Sequence, residues 1–220
     1  TFDGIARSLH NWITLSGQNL LGVGTNLKFL IENGGAYNDV TPVRITTSAG
    51  DVTFSASNTT LSAAVSSTSA TTIAITDATG FPTAGKVLIG SEIVDYTGIT
   101  NNTLTGCTRG ASKLVDNVAT STTAATHSLG AAVTCFTIIV TDTAHGAVAG
   151  DFVTFSGAAS LGGNITATVL NRNYQIEAVE TLDTYTILAK SFSDTTLKFT
   201  NVASTSSDSG NGGNSVVGTY

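Results

Sequence analysis

Two phrases of this 220-residue chain say nearly the same thing: "TIAITDATG" from Thr72 and "TIIVTDTAHG" from Thr137, 65 positions later. Each sets apolar residues in alternation, Ile73 and Ile75 in one copy and Ile138 and Val140 in the other, which is the period of a half-buried strand. Each then reaches Asp (Asp77, Asp142) and a glycine-bearing turn (Gly80, Gly146), followed by a second glycine (Gly85, Gly150) and a new strand. An Asp at a strand end turns the chain by accepting hydrogen bonds from backbone amides two residues on, and Gly releases the turn. The repeat therefore predicts two small β-modules with the same entry device. The interval between them predicts nesting, with residues 61–134 inserted in a loop of a module built from 49–60 and 135–200.

The rest of the chain punctuates in the same way. Residues 1–48 break into short apolar runs, "ARSLHNWITL", "LLGVG", "LKFLIE" and "AYNDVTPV", separated by Ser/Gly/Asn clusters. That is an antiparallel meander resembling one blade of a β-propeller, which cannot cover both of its own faces. "DVTFSAS" and "FTIIVTD" flank the insertion and are expected to pair as a hairpin. "NTTLSAAVSSTSA" and residues 111–131 read as irregular, and "NITATVLNRNYQIEAVE", "DTYTILAK" and "TLKFTNV" as strands. "STSSDSGNGGNS" has linker composition, so 201–220 is expected to be a flexible linker followed by the start of a further strand. The fold class is thus all-β: a meander, plus a small β-barrel carrying a second β-module.

Composition excludes several functions. Charged residues are 11% of the chain, well below the roughly 25% of an average soluble domain, and net charge is −6. Lys and Arg number nine and read as scattered singly, so a basic footprint for nucleic acid is missing. No apolar run approaches the ~18 residues of a membrane span. Cys107 and Cys135 make no disulfide framework. They read as two small side chains in strands, although a single bridge between them is compatible with the sequence. Methionine is absent, including at position 1, so the chain is expected to be a processed or internal piece of something longer.

No motif carries chemistry. His10, His127 and His145 lack metal-ligand spacing, so no metal or cofactor is expected. Asp142 and His145 are expected in an Asx-type turn with an exposed imidazole. No nucleophile elbow is present, and the glycine-rich "GVGTN" and "GNGGNS" do not lie between a strand and a helix. The close carboxylate pairs Glu92/Asp95 and Glu177/Glu180 are at a strand spacing that sends their members to opposite faces. Trp12, Phe29, Tyr37, Tyr96 and Tyr174 are expected in core packing rather than on a sugar-binding surface. Sequons at Asn58, Asn101-Asn102-Thr103 and Asn164 are no more than a Thr/Asn-rich chain yields by chance. Catalytic, cofactor-binding and metal residues are accordingly none.

The segments "ARSLHNWITLSGQNLLGVGTNLKFLIENGGAYNDVTPVR", "SAGDVTFSAS" and "TDTAHGAVAGDFVTFSGAASLGGNITATVLNRNYQIEAV" resemble large structural proteins of short-tailed bacteriophages. The part around "GDFVTFSGAASLGGNI" is similar to the small β-barrel called the first catalytic cysteine half-domain of ubiquitin-activating enzymes, and the insertion resembles a β-module of phage tail and fibre proteins. The resemblance implies a non-enzymatic virion component, in particular a tail nozzle or tail tube subunit located in the phage tail. Its implied partners are other copies in a ring, expected to be a hexamer, and neighbouring tail proteins, with DNA passing through without specific binding. The alternative it implies is a tail-fibre or head-decoration adhesin that binds host surface glycan.

Overall fold

The structure is a computed structural model that describes residues 5–26, 28–40 and 47–220. It is all-β, and the chain divides into two compact units, Thr1–Arg44 and Ile45–Tyr220. In the first, strands β1 (Ala6–Ile13), β2 (Asn19–Thr25), β3 (Phe29–Asn33) and β4 (Ala36–Asp39) form one antiparallel meander in chain order. The stretch "TPV" at 41–43, read as the end of this meander, lies outside the described residues.

The register of the meander places apolar side chains on both faces. Leu9 pairs with Val23, which pairs with Leu30, on one face; Trp12 pairs with Leu20, and Gly22 with Ile31, on the other. Gly22 makes room for an aromatic: a Cβ there would sit 3.1 Å from the Trp12 ring. Val23 and Leu30 are buried, but Ile5, Leu9, Ile13, Leu15, Phe29, Tyr37 and Val40 are exposed.

The second unit opens with β5 (Thr47–Ala49) and β6 (Thr53–Ser55), so the boundary lies at Arg44/Ile45 rather than at 48. The inserted segment then runs β7 (Asn58–Thr60), β8 (Thr72–Ala74), β9 (Gly85–Ile89), β10 (Glu92–Tyr96), β11 (Gly98–Thr100), β12 (Thr103–Thr105), β13 (Ser112–Val115), β14 (Val118–Ser121) and β15 (Ala132–Cys135). The chain continues through β16 (Thr137–Thr141), β17 (Phe152–Ser156), a four-residue helix α1 (Ala167–Leu170), β18 (Asn173–Gln175), β19 (Ala178–Thr181), β20 (Thr184–Leu188), β21 (Lys190–Ser193), β22 (Lys198–Asn201) and β23 (Val217–Thr219).

Pairing follows the nesting. β6 hydrogen-bonds to β16, with Phe54 opposite Val140, and one step further β7 bonds to β15, with Thr60 opposite Ala132. The ends of the insertion therefore lie side by side. The insertion has its own core, in which Leu61, Ile73, Ile75, Val87, Ile89, Leu104 and Val133 are buried together between sheets β10-β9-β15-β7 and β11-β12-β8. The other core is built from Phe54, Ile138, Val140, Phe155, Tyr174, Tyr185 and Ile187. A small third cluster, Ile93, Ala111 and Phe136, joins the two.

Four expectations are corrected. Among the described residues no closed barrel forms around the second core. Sheets β19-β20-β16-β6 and β18-β17-β23-β5 face each other instead, with Phe54 edge-on to Phe155 at 5.0 Å between centroids. The chain crosses from one sheet to the other between β5 and β6, so these edge strands do not close the ring by pairing with each other. Residues 111–131 are not irregular throughout, because β13 and β14 form a hairpin around Asp116 and Asn117, at φ 52° and 65°. That is the left-handed pair a tight two-residue turn requires, and Asp and Asn tolerate it. Part of "NITATVL" is helical rather than extended: Thr166 caps α1 by accepting from the Val169 amide at 3.4 Å.

Residues 201–220 are packed, and this is the largest correction. Val216 is fully buried, and β23 sits between β17 and β5 in the middle of a sheet. The segment is anchored by Asp208, which is 2% exposed. Its Oδ1 accepts from the amides of Gly163 and Ile165 at 2.8 and 3.0 Å, and its Oδ2 from those of Asn164 and Thr205 at 3.0 and 2.8 Å. Only glycine fits at 163, where a Cβ would lie 2.7 Å from the carboxylate. Polar composition suggested a linker, but a buried carboxylate with four amide donors, the burial of Val216 and the pairing of β23 on both edges together order the chain.

Candidate functional site

Three places concentrate polar or uncovered groups: a buried ion cluster in the insertion, a buried hydroxyl–carboxylate cluster in the module around it, and the apolar faces of the meander.

The first is centred on Glu92, at the start of β10 and fully buried. Arg109 grips it with two hydrogen bonds, Nε to Oε1 and Nη2 to Oε2, both 2.7 Å. His127 Nε2 lies 2.7 Å from Oε2, and the amides of Gly110 and Ala125 donate at 3.0 Å each. Arg109 also donates to the carbonyls of Ser67 and Ala125. Three loops that carry little secondary structure are thereby tied to one strand. Burial raises the Glu92 pKa, but Arg109, the two amides and His127 outweigh it and hold the carboxyl at about 2. With both Glu92 oxygens accepting from several donors, the cluster acts as a clasp. As expected from strand geometry, Asp95 points elsewhere and pairs with Lys86.

The second cluster corrects the reading of the repeated turn. Asp77 does form an Asx turn: it is exposed and accepts from the Thr79 amide at 2.8 Å. Its counterpart Asp142 is fully buried, and His145 is 2% exposed rather than an open imidazole. The turn at 142–146 is held from outside, because the amides of Asp142 and Ala144 donate to the carbonyl and the carboxylate of Asp183 at 2.9 and 2.8 Å. The Asp142 carboxylate is thus free to accept from the Tyr220 hydroxyl, which also lies 2.8 Å from that of Tyr185. His145 stands edge-on to Tyr185, 4.9 Å between centroids, and its Nδ1 accepts from the Ala147 amide at 3.1 Å. Burial, then the bond to Asp142, push the Tyr220 pKa far above its ordinary value. Both copies end the turn on a glycine at positive φ (Gly80 at 76°, Gly146 at 62°), but the second turn is one residue longer, with Ala144 at φ 53°, and the two aspartates have opposite burial. Whether a Tyr from elsewhere reaches the carboxylate decides which.

The cysteines are both free and buried, and burial pushes the Cys107 thiol up to about 11. Cys107 follows β12 rather than lying in a strand. Tyr96 and Tyr174 are core residues, while Phe29 and Tyr37 are 44% and 43% exposed on the meander. Glu177 and Glu180 do not converge; Glu180 accepts from the Thr83 amide at 3.3 Å. Among the described residues no group of His, Cys, Asp and Glu is arranged to hold a metal ion, and no helix is long and apolar enough to cross a membrane.

The third place is the meander. Half of the large apolar side chains exposed among the described residues fall between Ile5 and Val40, in under a fifth of the chain. An antiparallel sheet of this kind normally keeps one face polar. Here both faces carry apolar side chains, and among the described residues no strand pairs with the outer edges of β1 and β4. Comparison with protein-family models, with curated proteins and with solved structures gives no match to this chain.

Proposed function

We propose that this chain is a non-enzymatic structural component of a bacteriophage virion, a subunit of the tail nozzle or tail tube that works as a ring of identical copies. The observation that supports the reading is the meander of residues 6–39, whose exposed Leu9, Ile13 and Phe29 belong under a neighbouring layer. A blade-like sheet with apolar residues on both faces is a part of a larger array. The Glu92 cluster fits the same role, since its carboxylate and the Arg109 guanidinium tie loops to β10. A low charge content and a net charge of −6 suit a wall along which DNA slides without sticking.

The test is the assembly state of the purified protein by mass photometry and negative-stain electron microscopy. Closed rings, expected to be sixfold, support the reading. A species that stays monomeric up to high micromolar concentration, with residues 6–39 protected from hydrogen exchange, refutes it.

A further inference from the structure

The chain's few cations are not all solitary. β21 and β22 pair with Phe192 opposite Phe199 and Lys190 opposite Asn201, which puts these four side chains on one face. The Phe192 and Phe199 rings lie 4.8 Å apart. Lys190 Nζ lies over two rings at once, 5.2 Å from the Tyr174 centroid and 5.0 Å from that of Phe199. Arg172 lies over the next ring, 5.3 Å from the Phe192 centroid. Its Nε donates to the Thr168 carbonyl at 2.7 Å, and its two terminal nitrogens have no hydrogen bond or ion pair among the described residues.

Lys190 itself has no carboxylate in salt-bridge range and donates no side-chain hydrogen bond among the described residues. Lys190 lines a cleft of about 310 Å³, where Gln175, Glu177, Leu114 and the exposed ring of Phe152 are among the other walls. A half-buried ammonium over two aromatic faces has lost water; burial lowers its pKa, and Glu177 across the cleft opposes that only in part, without forming an ion pair among the described residues. Such a group is completed by an anion. The walls describe the remainder of the ligand: Gln175 and Glu177 offer acceptors for hydroxyl groups, and Phe152, 55% exposed, offers a flat apolar surface. The volume is that of a small-molecule site.

We propose that this cleft binds an acidic saccharide, with the sugar carboxylate on Lys190, the hydroxyls on Gln175 and Glu177, and a ring face on Phe152. An acidic protein segment fits less well, because it would bring no hydroxyls to Gln175 and Glu177. The site is independent of the assembly role proposed above, and its ligand is recognised by a single subunit.

The experiment is calorimetric titration of the full chain with trigalacturonate, with its neutral trimethyl ester and with a hexaglutamate peptide. Trigalacturonate is expected to bind. The affinity should fall at least tenfold in Lys190→Gln, which keeps the stem over the rings, and severalfold in Phe152→Ala, whose ring is exposed. Unchanged melting curves check that both variants fold. Absence of trigalacturonate binding, equal affinity for the ester, equal affinity in Lys190→Gln, or tighter binding of hexaglutamate would each overturn the proposal.

Discussion

Glu92 makes the insertion sensitive to acid in a way that can be worked out in advance. Its carboxyl is held at about 2, below its ordinary value of 4.5, because Arg109, His127 and two amides favour the charged form more than burial opposes it. A folded-state pKa below the unfolded one means stability that is fully present above pH 4.5 and lost as the pH falls toward 2. The shift corresponds to about 3 kcal/mol, at ~1.4 kcal/mol per pH unit. Glu92→Gln removes the charge while keeping the shape, and leaves Arg109 buried without its counter-ion. The expected outcome at pH 7 is a loss of about 3 kcal/mol, read by hydrogen exchange at the amides of Gly110 and Ala125, which donate to this carboxylate. Between pH 5 and pH 2.5 the wild type should lose most of that advantage and the variant should change much less. Trp12, the single tryptophan, lies in the meander, so its fluorescence serves as an internal control that should not respond. If Glu92→Gln follows the same acid profile as the wild type at these two amides, the clasp contributes nothing and the reasoning fails.

Asp208→Ala leaves the amides of Gly163, Asn164, Ile165 and Thr205 short of their acceptor; at roughly 1–3 kcal/mol for a buried unsatisfied group, a loss of about 3 kcal/mol is expected from denaturant melts, with new proteolytic cleavage confined to 203–212. Alkaline titration followed at 295 nm should show four of the five tyrosines, Tyr96, Tyr174, Tyr185 and Tyr220, still protonated above pH 11. Their folded pKa values are raised, so the stability they confer is present below pH 10 and drains as pH rises, and ionisation should coincide with unfolding. Replacing 61–131 with Gly-Ser-Gly should leave a cooperative melt, because the core around Phe155 and Tyr185 does not draw on the insertion. It should cost roughly 2 kcal/mol, since Phe136 loses the cover of Ile93 and Ala111, and a non-cooperative melt would mean that the two cores are one.

Local pattern was enough for much of this fold. Alternation at Ile73/Ile75 and Ile138/Val140 placed two strands, and the spacing of the repeat suggested an insertion at 61–134; in the structure Thr60 meets Ala132, three residues before Cys135. These are readings of period and turn chemistry, which act over two to eight residues and are written in consecutive letters. The same pattern missed the tail, because Asp208 and Gly210 look like linker residues until residues 162–165 come to rest on them. It also missed the Glu92 clasp, whose members stand at 92, 109 and 127 with no spacing rule to join them, and the cleft over Lys190, whose rings come from 174 and 199. The turn at Asp142 shows the division most sharply. Its letters nearly match those at Asp77, and its turn too ends on a glycine at positive φ. Whether the carboxylate faces water or a tyrosine was decided by Tyr220, 78 residues away, once β23 had entered the sheet beside β17. Strands and turns follow from local sterics, but the burial of a charged or polar group depends on which distant donor arrives to replace its water, and only the assembled sheets determine that.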